Sequence, residues 1–303
     1  MSTHFTAADV PDQAGRTFLI TGANTGIGFE AAAVLAARGA RVLVGCRSRE
    51  RAETAVRRIR SRHPDAALDI VHIDLANLLT VHDAAGRVAR EPRLDGLINN
   101  AGIMVPPRQL TADGFESQFG VNHLGHFALT GLLLPKLRDT DGARIVTVSS
   151  NAHKGAAIAF DDIHAERSYR RFGRYAMSKL ANLLFTYELQ RRLDAAGAHA
   201  IAVACHPGVS PTDLSRHVPR RLVRILTALS RWITHPPAEG ALPTLRAATD
   251  LQVRGGDYYG PARAFELHGP PVLVRSHRGS HDGDAAERLW ELSIELTGVD
   301  PGV

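Results

Sequence analysis

Cysteine is nearly absent from this chain, with only Cys46 and Cys205. Both lie in apolar, strand-like runs, so free buried thiols of a reducing compartment are expected and a disulfide scaffold is excluded. Lysine is scarcer than its charge suggests: Lys136, Lys154 and Lys179 are the only three among 36 basic residues, against 31 acids. Arginine is used everywhere else, which reads as a compositional habit and says little about partners. Aromatics make up only 6%. The densest basic run, from Arg47 to Arg62, contains none. Nucleic-acid binding would want stacking side chains there, so a solvated helix face is the better reading and no nucleic-acid partner is expected. No apolar run reaches the roughly 18 residues that span a bilayer, and MSTHFTAADVPDQAG has no basic start followed by an apolar stretch. A soluble, cytoplasmic chain without a transmembrane segment is therefore expected.

What is present is enough apolar residue, 44% of 303, to fill a sizeable core. Strand-like runs at 16–21, 41–46, 68–73, 94–99, 144–149 and 199–205 alternate with helical patterns at 26–38, 49–62, 78–90, 112–138 and 172–193. Gly39 closes the first helix and Pro135 sits near the end of the fourth. This alternation predicts an α/β fold, a doubly wound parallel sheet in three α/β/α layers. No composition break interrupts it, so residues 14–298 are expected to form a single domain. Beyond 205 the pattern loosens. A helix over 238–250, an edge-like segment at 255–260, a polar tail from 271 and a closing helix over 285–298 are predicted. The long loops at 150–170 and 206–235 follow strand ends and are expected to wall a substrate pocket.

Between the first strand and first helix stands Thr21-Gly22-Ala23-Asn24-Thr25-Gly26-Ile27-Gly28. Gly22 permits a turn, Gly26 lets a ligand approach the backbone, and Gly28 lets the helix pack on the sheet. The free N–H groups at the helix start then face a pyrophosphate. After the second strand, where NAD binding wants a carboxylate, the chain has Gly45-Cys46-Arg47. Arg47 either starts the basic helix face or pairs with a 2'-phosphate, and the missing acid favours NADP(H) over NAD(H). Asp74, followed by Leu75, either caps a helix starting at 75 or approaches the adenine.

Tyr175 and Lys179 are four apart on one predicted helix and share a face. A tyrosine with pKa near 10 is a poor acid–base at neutral pH, and a nearby ammonium lowers it. Ser150 stands at the ligand edge of the sheet. Asn122 falls mid-helix among apolar residues, either a satisfied buried amide or a functional one. His123 with His126, and His72 with Asp74, are too few for a metal, and none is expected. His206 opens an HPG turn, where a structural hydrogen bond is the simpler role, and Asp213 is placed to cap a helix.

Together these residues resemble the classical short-chain dehydrogenase/reductase family over about 14–298. Its TGxxxGxG motif is matched by Thr21 through Gly28, and its NNAG motif by Asn99-Asn100-Ala101-Gly102. Its YxxxK motif is matched by Tyr175 and Lys179, and its PG motif with downstream threonine by Pro207, Gly208 and Thr212. The resemblance implies a catalytic set of Asn122, Ser150, Tyr175 and Lys179, with the adjacent Ser149 as the alternative serine. It implies cofactor contacts from Gly22, Asn24, Thr25, Gly26, Ile27, Gly28, Arg47, Asp74, Leu75, Asn100, Ala101, Gly102, Tyr175, Lys179, Pro207, Gly208 and Thr212.

TGANTGIG, VGCR, YAMSKLANLLF and HPGVSPTDL are similar to the retinol dehydrogenase-like group, which implies NADP and a lipophilic alcohol or carbonyl. Asn24 stands where NADP-preferring relatives often carry a second basic residue. Also implied are a water on Asn122 that relays protons near Lys179, and a homodimer or homotetramer paired through the helices at 112–138 and 172–193. Alternatives are an NAD-linked or double-bond-reducing enzyme of the same fold, or a non-catalytic cofactor-binding protein. The stretch 218–233 is amphipathic, and three readings stand: packing on the body, roofing the pocket, or lying on a membrane surface.

Overall fold

Thr17–Thr21 (β1) is buried at every position and lies at the middle of the sheet. The computed structural model describes residues 4–209 and 236–303. Around β1 the chain lays down Arg41–Cys46 (β2), Leu68–His72 (β3), Gly96–Asn99 (β4), Arg144–Val148 (β5) and Ile201–Cys205 (β6). Tyr258–Arg263 (β7) and His268–Leu273 (β8) complete an eight-stranded sheet of order β3-β2-β1-β4-β5-β6-β7-β8. The first seven strands are parallel and β8 is antiparallel. The order reverses between β1 and β4, the switch point where doubly wound sheets bind ligands.

Strand alternation feeds two layers. Phe18, Ile20, Val42, Val44, Val146 and Val203 face one core, against Gly26–Ala37 (α1), Arg49–Arg60 (α2) and Leu242–Thr249 (α8), which the short helix Pro237–Gly240 (α7) precedes. Leu19, Leu43, Leu97, Ile145 and Ala202 face the other, against Leu78–Val88 (α3), Gly125–Arg138 (α5) and Arg171–Ala195 (α6). With both faces covered, the strands read as continuous apolar runs. Three layers around one sheet follow, as the alternation predicts.

The fourth helix departs from expectation. Residues 112–116 are not helical; Glu116, fully buried, caps the short helix Ser117–Phe119 (α4) by accepting from Gln118 N at 2.8 Å and Phe119 N at 3.0 Å. Gly120–Leu124 is a π-helical turn and only then does α5 begin. Glycine is demanded at its end, because a Cβ on Gly125 would stand 2.7 Å from the Leu75 carbonyl oxygen.

The C-terminal expectations also need correction. The segment at 255–260 is not an edge: β7 pairs with β6 on one side and β8 on the other. The stretch from 271 is not simply polar tail, since β8 runs to Leu273 and is the true edge. Pro270 and Pro271 hid it, and an edge strand is where prolines are tolerated.

Gly283–Thr297 (α9) starts on the Asp282 cap and ends at Gly298 with φ 67°. Its Trp290 stacks on Phe185 of α6 at 6.0 Å and meets Phe127 of α5 edge-on at 5.2 Å. The two helices through which the resemblance implies pairing of copies thus carry the chain's own C-terminus. No helix among the described residues is long and apolar enough to cross a membrane. The stretch 218–233 lies outside the described residues, as do Thr212 and Asp213.

Candidate active site

At the end of β1, Gly22 takes φ 68° and Gly26 φ 58°, values that side-chain-bearing residues avoid. A Cβ on Gly28 would lie 2.4 Å from Asn100 Nδ2 and 2.7 Å from the Gly22 carbonyl oxygen, so helix and turn pack through a missing side chain. Thr25 makes no side-chain cap on α1, and its first turn has no acid. Asn24 and Thr25 are half-buried on the turn, with Ile27 buried beneath it. The helix start is therefore open to an anion.

Thr21 ties this turn to the loop after β4. Its hydroxyl accepts from Asn100 N and Ala101 N, both at 3.0 Å, and lies 2.9 Å from His126 Nε2. Asn100 Nδ2 returns a bond to the Thr21 carbonyl at 2.8 Å, while Asn99 Nδ2 reaches Thr130 of α5 at 3.0 Å.

Arg47 is exposed just past β2, with Nη1 3.9 Å from Asp74 Oδ2. Asp74 does not cap a helix at 75. Its carboxylate accepts from Ala76 N at 3.1 Å, and α3 starts three residues later on the Asn77 cap. Leu75 is buried against Gly125. An uncapped helix start, two left-handed glycines and an exposed guanidinium, only loosely paired with Asp74 and with no acid at the end of β2, fit a dinucleotide phosphate chain.

The reacting groups gather where β5 ends. Ser149 is buried and donates to the Lys179 carbonyl at 2.8 Å, so its hydroxyl serves the packing of α6. Ser150 is half-buried; its hydroxyl accepts from Ala152 N at 3.2 Å and stands near enough to Tyr175 to act on its phenol. Burial pushes the Tyr175 phenol above its ordinary value, and the neighbouring Ser150 hydroxyl opposes that rise. The lowering expected from Lys179 is not found. Its Nζ sits 5.8 Å from the Tyr175 ring centre and donates instead to the Val148 carbonyl at 3.0 Å. Burial brings Lys179 itself down to about 8.

Asn122 is fully buried in the π turn and fully used. Nδ2 donates to the Ile103 carbonyl at 3.0 Å and to Ser178 Oγ at 2.9 Å, and Oδ1 accepts from Ile103 N at 2.8 Å. Ser178 passes the link to the Tyr175 carbonyl at 2.8 Å. The Asn122 carbonyl accepts from His126 Nδ1 at 3.0 Å. Gly102 fits between these groups: a Cβ there would lie 3.2 Å from Asn122 Oδ1 and 3.6 Å from Lys179 Nζ.

Several supporting residues carry no sequence signal. His153, fully buried, places Nδ1 2.6 Å from the Ser150 carbonyl and accepts from His277 N at 3.1 Å. Asp162 gathers the N–H groups of Glu166, Arg167 and Ser168 and holds the buried Arg174 guanidinium at 2.7 Å, fixing the start of α6. Tyr169 donates to the Pro106 carbonyl at 2.9 Å. The 152–168 segment therefore braces Ser150 at one end and Tyr175's helix at the other.

After β6, Gly208 has φ 72°, and a Cβ would stand 2.3 Å from the Leu267 carbonyl oxygen. Pro207 precedes it. His206 Nδ1 accepts from Gly208 N at 3.3 Å, the structural hydrogen bond expected of it. Among the described residues no three His, Cys, Asp or Glu side chains are grouped to hold a metal ion.

The short chain dehydrogenase family matches residues 16–222. Human retinol dehydrogenase 14 is 42% identical over 303 aligned positions, covering 94% of this chain and 87% of that protein. Human retinol dehydrogenase 12 is 41% identical over 94% of this chain and 87% of its own length. An uncharacterised protein of Mycobacterium paratuberculosis superposes with TM-score 0.83 at 41% identity, covering 99% of this chain and all of that one. A Beutenbergia cavernae protein assigned as an NAD(P)-dependent gluconate 5-dehydrogenase, with bound NADP, superposes with TM-score 0.64 at 25% identity over 82% of this chain and 96% of its own.

Proposed function

The chain belongs to the short-chain dehydrogenase family and is an NAD(P)(H)-dependent oxidoreductase of a small organic substrate, and we propose that it prefers NADP(H) and interconverts a lipophilic alcohol and its carbonyl compound. The observation that carries this reading is the Ser150 hydroxyl, at the end of β5, standing near enough to the buried Tyr175 phenol to favour its ionised form, with Lys179 one turn further along the same helix. Two hydroxyls meeting at one point are what a carbonyl oxygen needs: one donor to hold it and one to exchange a proton with it.

When bound, the nicotinamide cofactor supplies or accepts the hydride. Gly22, Asn24, Thr25, Gly26, Ile27 and Gly28 border its phosphates, with Asn100, Ala101 and Gly102 alongside. Arg47 takes the 2'-phosphate, and Asp74 and Leu75 line the adenine end. In reduction Tyr175 Oη gives its proton to the substrate oxygen; in oxidation it takes one from the alcohol. Ser150 Oγ holds that oxygen in line. Lys179, poised at about 8, supplies positive charge near the ribose. Asn122 holds the Ile103 backbone and, through Ser178, the Tyr175 turn. The geometry is preorganised, so little has to move at the moment of reaction.

NADP preference draws support from Arg47 standing where an acid would select NAD. The lipophilic substrate class draws support from the relatives named as retinol dehydrogenases. A panel of alcohols and carbonyls of graded hydrophobicity, assayed with both cofactors by the absorbance of reduced nicotinamide, tests both. Turnover that rises with substrate hydrophobicity and favours NADPH is expected. Best activity on small polar polyols with NADH would overturn the assignment.

A further inference from the structure

The hairpin joining β7 to β8 turns through Ala264, Phe265 and Glu266, with φ of 49°, 57° and 65°. Three successive non-glycine residues in the left-handed region are avoided by L-amino acids unless surroundings hold them there. Here the surroundings are two loops that both carry site residues. From the turn begun by Ser150, Asn151 Nδ2 donates to the Phe265 and Glu266 carbonyls, each at 3.3 Å, and Lys154 Nζ reaches Glu266 Oε2 at 3.0 Å. From the loop after β6, Val209 N donates to the Leu267 carbonyl at 2.9 Å. His206 Nε2, on the same loop, lies 3.2 Å from that same Glu266 Oε2, close enough to feel its charge but without hydrogen-bond alignment.

A single carboxylate oxygen therefore touches both the loop of Ser150 and the loop of Pro207 and Gly208. Burial alone would raise the Glu266 carboxyl, yet His206 and Lys154 hold it below its usual range. We propose that Glu266 is a positioning residue that fixes the Ser150 loop against the Pro207–Gly208 loop. With Ser150 holding the substrate oxygen, and Pro207 and Gly208 in the cofactor contact that the resemblance implies, the spacing of the two loops sets the distance over which hydride moves. This rests on the reading of Ser150 and Tyr175 given above. The glycine turn and Arg47, which hold the phosphates, stand at the ends of β1 and β2, outside the clamp, so cofactor affinity should change far less than kcat.

The test uses Glu266→Gln, Lys154→Met and the double variant of the full chain, with the best carbonyl substrate and NADPH. Displacement of a reacting group by a fraction of an ångström to an ångström costs roughly ten- to a hundredfold in kcat, so each single variant should lose about that much. The double variant should lose no more than either single, and Lys154→Arg, which keeps the charge, should recover most of the loss. Dissociation constants for NADPH from fluorescence titration should stay within about twofold. In the wild type, kcat should fall with added salt as the partly exposed pair is screened, and in Glu266→Gln it should not. A purely structural role would lower the melting temperature and leave kcat normal in folded protein. That outcome overturns the proposal, and so do single losses that multiply in the double variant. Tyr175→Phe run in parallel separates the two levels. Inactive Tyr175→Phe with fully active Glu266→Gln removes this proposal alone, whereas active Tyr175→Phe removes the reading beneath it.

Discussion

Lys179 Nζ donates to the Val148 carbonyl at 3.0 Å, and Asn182 Nδ2 donates to the same oxygen at 3.1 Å. The last carbonyl of β5 thus holds a buried ammonium next to the two residues that follow it, Ser149 and Ser150. An ammonium taken from water into this setting is costly, which is why burial lowers Lys179 to about 8 from its ordinary 10.5.

That cost has a pH signature. Between about 8 and 10.5 the unfolded chain keeps the proton on this lysine and the folded chain has lost it, so stability rises with pH across that window. Below about 8 the penalty is present in full. Lys179→Met should therefore abolish turnover yet leave the protein as stable as the wild type or more so at neutral pH. Urea unfolding of both proteins at stepped pH checks this: any advantage of the variant should shrink from pH 8 upward. A variant less stable than wild type at every pH would show that the bond to Val148 outweighs the burial.

Acid should act through the histidines. Burial holds His123 down to about 3 and His126 and His153 to about 4, so all three are neutral in the fold at pH 7. Unfolded, they gain protons below about 6.5, so the folded state loses stability as pH falls from there toward 4. Each contributes about 1.4 kcal/mol per pH unit within the window, an order-of-magnitude slope. Denaturant titrations from pH 7 to 4.5 should show this fall, and His123→Gln should lessen its slope by about 1.4 kcal/mol per pH unit.

Arg47 is exposed and its nearest acid, Asp74, is 3.9 Å away, so the guanidinium is available to a phosphate. Arg47→Ala should weaken NADPH about tenfold, the lower range for a charged hydrogen bond at a wet site, and leave NADH nearly unchanged. Fluorescence titration with each cofactor reads this directly. Equal weakening of both would mean that Arg47 contacts something other than the 2'-phosphate.

The parallel sheet and its helices were legible because burial on both faces writes strands as apolar runs and helices as a different period. The glycine turn was legible because Gly22, Gly26 and Gly28 fall at a strand–helix junction. What stayed hidden has physical causes. Residues 112–116 form a turn that Glu116 ends by capping α4, and the π turn at Gly120–Leu124 keeps a helix's hydrophobic content, so neither break shows in the apolar pattern of 112–138. The strand β8 carries Pro270 and Pro271, which argue against a strand unless it is known to be an edge. The bonds of His153 to His277 and of Glu266 to Lys154 join residues 124 and 112 positions apart, and no local pattern records such pairs. A spacing of four puts Lys179 on the face of Tyr175 but does not show that its ammonium turns to the Val148 carbonyl.

The proposed proton transfer turns on one hydroxyl, Tyr175 Oη. Tyr175→Phe removes it from a buried ring and should leave fold and NADPH affinity intact. Single-turnover reduction of a carbonyl substrate, on enzyme shown to be saturated with NADPH, measures the step it serves. The account predicts a rate lower by at least ~10²–10⁴, the range for a positioned proton donor. A Tyr175→Phe enzyme that reduces the same substrate at close to the wild-type rate would contradict it.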